Sequence, residues 1–136
     1  MAKFVATDYV IEIGGTDFSS SIAAATLEIS ADEQETTAFG ADYRTRIAGL
    51  KDASLTLDWH QDFGAASVDA TLFPLMGSVV AWSIKPNSGS VSATNPSYSG
   101  SAVVTSYSPY ANSVGDLATF SVTWPVTGEV TRGTTA

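Results

Sequence analysis

The amino-acid sequence predicts a mainly β protein, an antiparallel β-sandwich or partly closed barrel with one short α-helix on its flank. Three observations predict this fold. Apolar and polar residues alternate with a period of two in several short runs, as they do in half-buried strands. One segment, 67–76, has the apolar spacing of a helix instead. A charged segment, 32–51, has no apolar period of its own and is expected to protrude as a long loop or hairpin.

The predicted strands follow one another with turn signals between them. The runs that alternate are 9–13, 26–30, 54–62, 80–84, 102–107 and 118–124. Pro86 and Pro125 are expected to end the fourth and the last of these strands. Trp59, Trp82 and Trp124 each lie in the apolar phase of a different strand. That phase favours a shared core over an exposed aromatic platform for sugars or bases.

The predicted helix has a start signal and a stop signal. Its apolar residues fall at i, i+4, i+7 and i+8, on one helix face: Val68, Leu72, Leu75 and Met76. Ser67 is the expected N-cap, Asp69 is favourable in the first turn, and Gly77 suits the C-terminal end. Because Pro74 removes one helical hydrogen bond, the helix is expected to be short.

Length and composition predict one domain, 1–136, with a flexible tail at 133–136 and the protruding segment 32–51. The chain has 136 residues, a net charge of −8 and no cysteine, so its fold needs no disulfide. The first residues lack the apolar run of a secretory signal, and no segment is apolar enough to span a membrane.

The acidic balance argues against a DNA-binding surface, because affinity for nucleic acid rests mainly on Lys and Arg. It is compatible with a conduit along which DNA slides, since an acidic wall repels phosphate. Acidic residues that only keep the protein soluble explain the same charge.

Candidate catalytic chemistry is sparse. Asp58, His60 and Asp62 alternate on one strand face and suggest a metal site or part of a Ser–His–Asp hydrolase. Same-side neighbours on a strand lie about 6.6 Å apart, and the sequence offers neither a second ligand cluster nor a nucleophile elbow. Phosphate-binding glycine motifs are also missing. The sequence therefore predicts a solvated polar face, with no catalytic residue, no metal and no cofactor.

A binding module is an alternative. The segment 86–100 is rich in Ser, Asn and Gly and is predicted to be a flexible surface loop. Tyr98, Tyr107 and Tyr110, in the region 86–110, could give a β-sandwich a site for a carbohydrate or for another protein.

The segment 32–51 is the strongest candidate for a contact between copies of the chain. Its acidic residues come before its basic residues, so one copy can complement the next in a ring or filament. Phe39, Ile47 and Leu50 could supply buried anchors. The proposed interface residues are Asp32, Glu33, Glu35, Phe39, Asp42, Arg44, Arg46, Ile47, Leu50 and Lys51.

Four stretches in the same order carry a family resemblance. They are YRTRIAGLKDASLTLDWHQDF (43–63), VDATLFPLMG (68–77), SATNPSYSGSAVV (92–104) and GDLATFSVTWPVTGEVTR (115–132). Together they resemble the small major tail proteins, or tail tube proteins, of long-tailed (siphovirus-type) bacteriophages. That family resemblance implies a β-sandwich or barrel-like fold that stacks as rings, usually sixfold, into a hollow tube for DNA.

The resemblance also implies roles for particular residues. The family's tube wall tends to be acidic, and a long loop or hairpin reaches between subunits, which segment 32–51 matches in position. Glu28, Asp58 and Asp62, on polar strand faces, are the candidates to face the lumen. Head decoration and head–tail joining proteins share related folds, so those roles stay open.

The partners that the resemblance implies are other copies of the chain and the tape-measure, tail-tip and tail-terminator proteins. DNA would pass through without specific binding, and no membrane is involved. The protein would be made in the host bacterial cytoplasm and would reside in the virion.

Overall fold

The computed structural model describes residues 3–135, which form a seven-stranded sheet, one α-helix and one 3₁₀ turn. The strands are β1 Val10–Ile13, β2 Thr16–Asp17, β3 Ile22–Glu35, β4 Arg46–His60, β5 Val79–Lys85, β6 Ser97–Val103 and β7 Thr119–Gly133. The helix, α1, is Val68–Leu75, and the 3₁₀ turn is Ser19–Ser21. The predicted fold class, mainly β and antiparallel with one short helix, is confirmed.

Strand β7 joins the two halves of the sheet. The strand order is β2-β1-β5-β6-β7-β4-β3, and every neighbouring pair is antiparallel. Residues 119–125 of β7 pair with β4, and residues from 126 onward pair with β6. One long strand therefore belongs to both halves of the sheet. The first half contains β2, β1, β5 and β6, and the second contains β4 and β3.

The apolar faces of the two halves meet in one core. It contains residues of β1, β4, β5, β6 and β7 together with Phe18 and the helix residues Val68 and Leu72. Trp59, Trp82 and Trp124 are buried in it, as the alternation predicted. The ring of Trp59 lies parallel to Phe120 at 6.0 Å and meets Phe18 edge-on at 5.4 Å.

Pro125 does not end the last strand, which corrects the sequence prediction. It is the last residue of β7 to pair with β4, opposite Ser54. Val126 then pairs with Ala102 of β6, and the strand continues to Gly133. Proline has no N–H to donate to a ladder, but its backbone angle suits an extended chain. Pro125 therefore marks a change of pairing partner.

The segment 86–100 is also more regular than predicted. Its last residues, from Ser97, belong to β6, which ends at Val103 and so begins and ends earlier than the predicted run 102–107. Asn95 is buried and organises the rest of the segment. Its amide nitrogen donates to the carbonyl oxygens of Gly89 and Ser90 at 3.0 and 3.2 Å.

Helix α1 agrees with the predicted segment 67–76 to within one residue at each end. Val68 and Leu72 are buried, as their spacing predicted, and Leu75 packs against the core. Met76, in contrast, is exposed at the C-cap, because the helix that contains Pro74 ends at residue 75.

The predicted flexible tail, 133–136, begins at the last residue of β7. Gly133 is the last residue of β7, and Thr134 and Thr135 follow without regular structure, whereas Ala136, the last residue of the predicted tail, lies outside the described residues. Within residues 3–135, no helix has the length and apolar character that a membrane span requires.

A pair of matched substitutions on β4 tests the core assignment. Leu57 is 0% exposed and Leu50 is 82% exposed. We expect Leu57→Ala to lower the free energy of unfolding by about 2–5 kcal/mol, because it leaves a cavity. Leu50→Ala should change it by less than about 0.5 kcal/mol. Urea denaturation followed by tryptophan fluorescence measures both, and equal losses would contradict the assignment.

Candidate subunit interface

The predicted protruding segment is a β-hairpin. Strands β3 and β4 pair along their length, from Ile22 opposite Trp59 to Glu35 opposite Arg46, and residues 36–45 connect them. All residues from Glu28 to Asp52 are exposed. We call residues 30–52 the arm. Of the two forms that the sequence allowed, loop or hairpin, the hairpin is the correct one.

Two local features shape the arm. The register shifts between Ala31 and Glu33, where β4 has one extra residue. A Cβ atom on Gly49 would lie 3.2 Å from the Cβ of Asp32, so this glycine permits the close approach of the two strands. Past the bulge, a hydrogen bond of 2.7 Å from the Thr36 amide to the Thr45 carbonyl closes the connection.

Two arginines of the arm form ion pairs with glutamates of the same chain. Arg46 lies 2.5 Å from Glu33, and Arg44 lies 3.8 Å from Glu35. From the sequence we expected the acidic block of one copy to meet the basic block of another. Because both observed pairs are exposed, they contribute little to the stability of the fold and can exchange partners at small cost.

Several large apolar side chains on the arm are exposed to solvent. Phe39, Ile47 and Leu50, predicted as anchors, are all exposed. The structure adds Tyr43, beside the turn, and Ile29, at the base of the arm, which sequence reasoning missed. Two features of the sequence could have identified these residues as exposed apolar candidates. They are the alternation of Ile29 with Glu28 and the aromatic character of Tyr43.

Two of the three lumen candidates share one surface. Glu28 and Asp58 lie on the face of β3, β4 and β7 that turns away from the core. We call this surface the polar face. Its members are Ala24, Thr26, Glu28 and Ser30 of β3, Asp52, Ser54, Thr56, Asp58 and His60 of β4, and Thr119, Ser121, Thr123 and Pro125 of β7.

The polar face is acidic and rich in hydroxyl groups, and none of its thirteen members is Lys or Arg. Ser121 donates a hydrogen bond of 2.6 Å to Asp58, and the hydroxyl groups of Thr56 and Thr123 lie 3.2 Å apart. Asp52 is a third acidic residue here. We did not predict Asp52 from the sequence, although its even spacing from Ser54 and Asp58 indicates that the three share a strand face.

Asp62 lies elsewhere. It follows β4 and contacts the segment that precedes α1. There it accepts hydrogen bonds from the Ser67 hydroxyl at 2.7 Å and the Gly64 amide at 2.8 Å. These bonds, the one from Ser67 foremost, lower the pKa of Asp62 below 3.8. Ser67 occupies the N-cap position, but its hydroxyl does not bond to the helix.

Asp58, His60 and Asp62, the candidate metal ligands of the sequence, do not form a ligand group in the structure. Between residues 3 and 135, no three His, Asp or Glu side chains are grouped as metal ligands. His60 has a buried Nδ1 without a hydrogen-bond partner, and Asp58 is engaged by Ser121.

The three tyrosines of the alternative binding site have different surroundings. Tyr98 lies in a groove between the two halves of the sheet, with Leu27 on the opposite side. Tyr107 packs edge-on against Phe120, 5.2 Å between ring centroids, and donates to Asp69. Tyr110 is exposed.

An antiparallel sheet with a projecting hairpin and a short flanking helix defines the fold, and two solved structures contain chains that are similar to it. One belongs to the virion of a native gene transfer agent (GTA) particle, with a TM-score of 0.69 and 18% identity, and the match covers 92% of this chain and 95% of that chain. The other belongs to the tail of an empty GTA particle with C6 symmetry, with a TM-score of 0.64 and 18% identity over 82% and 81% of the two chains. No protein-family model and no curated protein matches the sequence.

Removing one hydroxyl group tests the role of Asp62. We expect Ser67→Ala to raise the pKa of Asp62 toward 3.8, because the Ser67 bond is the main cause of the lowered value. Carbon-13 NMR titration of the carboxyl group measures it. Because the pKa of Asp62 is lower in the folded state than in the unfolded state, ionisation of its carboxyl group stabilises the fold. This stabilisation is present at neutral pH and is lost as the pH falls through the folded-state pKa.

Ser121→Ala is the matched control, since it removes a hydroxyl group from Asp58 instead. It should leave the pKa of Asp62 unchanged. If Ser67→Ala also leaves that pKa unchanged, the hydrogen bond does not have the role that we assign to it.

Proposed function

We propose that the protein is a structural subunit of a phage-like tail, a tail tube protein that polymerises as stacked, hexameric rings around a conduit for DNA. The observation that carries the proposal is the likeness of the fold to a chain of a GTA virion over 92% of this chain and 95% of that one. The similar chain in a GTA tail of C6 symmetry supports sixfold rings. The resemblance of the sequence to phage tail tube proteins points the same way.

The arm is the proposed contact between subunits. It projects beyond the core and carries exposed apolar side chains, among them Phe39, Ile47 and Leu50. Large exposed apolar residues next to charged ones are typical of surfaces that become buried in an assembly. A hairpin that docks on a different surface of the next copy makes a heterologous contact, which closes into rings or propagates as a filament.

The polar face is the proposed wall of the conduit. Glu28, Asp52 and Asp58 give it negative charge, and the remaining side chains are mainly small and hydroxylated. DNA adheres to proteins chiefly through Lys and Arg, so a surface without them lets phosphate groups pass. Asp62, which is bound to the start of α1, is the weakest of the three original candidates for the lumen.

The activity of such a subunit is mechanical and electrostatic, without catalysis. Its partners would be other copies of the chain, together with tape-measure, tail-tip and tail-terminator proteins, and its place would be the virion after synthesis in the host cytoplasm. No membrane takes part. These roles follow from the family resemblance and rest on the tube assignment.

A double charge reversal on the arm tests the proposal. Electron microscopy of the purified wild-type protein, alone or with its tail-tip initiator, should show rings or tubes of uniform bore. Arg44→Glu with Arg46→Glu should abolish them, because four acidic residues would then face one another across the hairpin and at its contacts. The fold should survive, since the ion pairs of both arginines are exposed.

Lys85→Glu with Arg132→Glu makes the same change of charge away from the arm and serves as the control. We expect this variant to assemble. Circular dichroism should show both variants folded. Normal tubes from the arm variant would remove the arm from the interface, and a wild-type protein that stays monomeric under both conditions would contradict the tube assignment.

A further inference from the structure

The large exposed apolar side chains of residues 3–135 fall into three groups. One group lies on the arm and at its base. The second lies at the other end of β4, in segments 61–79 and 104–118, which together we call the helix end. The third lies before β1, where we call residues 3–7 the N-terminal segment. The helix end exposes, among others, Phe63, Phe73, Tyr110, Val114 and Leu117.

Charge separates these three groups. The arm contains five acidic residues and three basic ones, and two of its arginines already pair with glutamates of the same hairpin. The helix end contains three acidic residues and no Lys or Arg. The N-terminal segment contains Lys3 and no acidic residue. It is therefore the only one of the three whose charge complements an acidic surface.

The carboxylates of the helix end keep their negative charge uncompensated. They belong to Asp62, Asp69 and Asp116. Their hydrogen-bond donors are the hydroxyl groups of Ser67 and Tyr107 and two backbone amides, none of which is charged. The surface therefore still attracts a cation.

The helix end also exposes aromatic rings. Phe63 and Tyr110 stack with their ring centroids 5.6 Å apart and are 54% and 84% exposed. The Gln61 side chain donates to the carbonyl oxygen of Pro109 at 3.1 Å, which ties the segment that presents Tyr110 to the end of β4. An ammonium group is attracted to the face of such a ring. Rings and carboxylates together favour a Lys or Arg that has apolar neighbours.

The N-terminal segment has these properties. Lys3 precedes Phe4 and Val5, which are 56% and 80% exposed. Within the described part of the chain, Lys3 forms no ion pair. The segment has no regular structure, and Asp8, which follows it, accepts two hydrogen bonds of 3.0 Å from Ser88. A cation and two apolar side chains are thus presented beside an anchored residue.

We propose that the N-terminal segment of a second copy docks on the helix end, with Lys3 facing the carboxylates and Phe4 and Val5 against the stacked rings. Within one chain, Ser88 holds the segment near the last residue of β5, whereas the helix end includes its first residue, about 20 Å away. Each copy therefore offers one surface and receives the other, which is a heterologous contact. The inference rests on the proposed function for the assembly of copies, and it adds a contact that does not use the arm.

The arm is the other acidic surface that could receive the segment. Its carboxylates Glu33 and Glu35 already pair with arginines, and Lys51 is exposed on the same hairpin. Lys3 would meet three like charges there and meets none on the helix end. The helix end is therefore the better match.

Two singly substituted chains test the contact, because the natural chain has no cysteine. One carries Val5→Cys, and the other carries Leu117→Cys and a tag that changes its mass. Since each chain has one cysteine, a disulfide between the two kinds must join two copies. Oxidation of the mixture should give the heterodimer in excess over both homodimers on a non-reducing gel.

Leu50→Cys in place of Leu117→Cys is the matched control, because Leu50 is 82% exposed and Leu117 is 70% exposed. It should give little heterodimer. Lys3→Glu in the Val5→Cys chain should lower the heterodimer yield about tenfold, since it turns the attraction into repulsion. Arg132→Glu makes the same change of charge on β7 and should leave the yield unchanged.

Equal yields from the Leu117 and Leu50 pairs, or a yield that does not respond to Lys3→Glu, would overturn this contact. Tubes in the micrographs without the heterodimer would overturn the contact and leave the tube assignment standing. The heterodimer in a protein that forms no rings or tubes would support the contact and contradict the tube assignment. A protein that forms neither would overturn both.

Discussion

The sharing of β7 between two halves of the sheet is the constraint on which the rest of the structure depends. Its first half pairs with β4 and its second with β6, and Pro125 lies at the change of partner. The alternate residues Phe120, Val122 and Trp124 fill the space between the halves. Without that shared strand, β3 and β4 would have no ladder to the remaining strands, and their apolar face would lose its cover.

The same constraint explains why the arm projects. Strand β7 supports β4 only as far as Ser54, whereas the hairpin of β3 and β4 continues to Glu35 and Arg46. A two-stranded hairpin by itself is marginally stable in water. The backbone ladder and the bond between Thr36 and Thr45 close the hairpin, but they do not cover its apolar side chains. In the proposed tube, neighbouring copies supply that cover, and the body remains free to present the polar face.

The sequence predicted those features that arise from local alternation of apolar and polar residues. The predictions were wrong or incomplete where the pairing of distant strands determines the structure. Trp59 and Trp124 could be assigned to the core because their strands alternate. The sequence left open whether the arm is a loop or a hairpin, since without a core its residues keep no apolar phase. The prediction that Pro125 ends the last strand was wrong because β7 exchanges β4 for β6 as its pairing partner at that residue and continues. Asp62 continues the alternation of Asp58 and His60 in the sequence, but β4 ends at His60, and Asp62 accepts a hydrogen bond from Ser67 beyond the strand.

In the proposed tube, the polar face lines a conduit formed by copies of this chain. Electron cryomicroscopy of assembled protein, at a resolution that shows side chains, would reveal which face of the sheet lines the bore. We expect sixfold rings in which Glu28 and Asp58 project into the bore and each arm lies against a neighbouring copy. A tube whose bore is lined by the opposite half of the sheet, with the polar face outside, would contradict it.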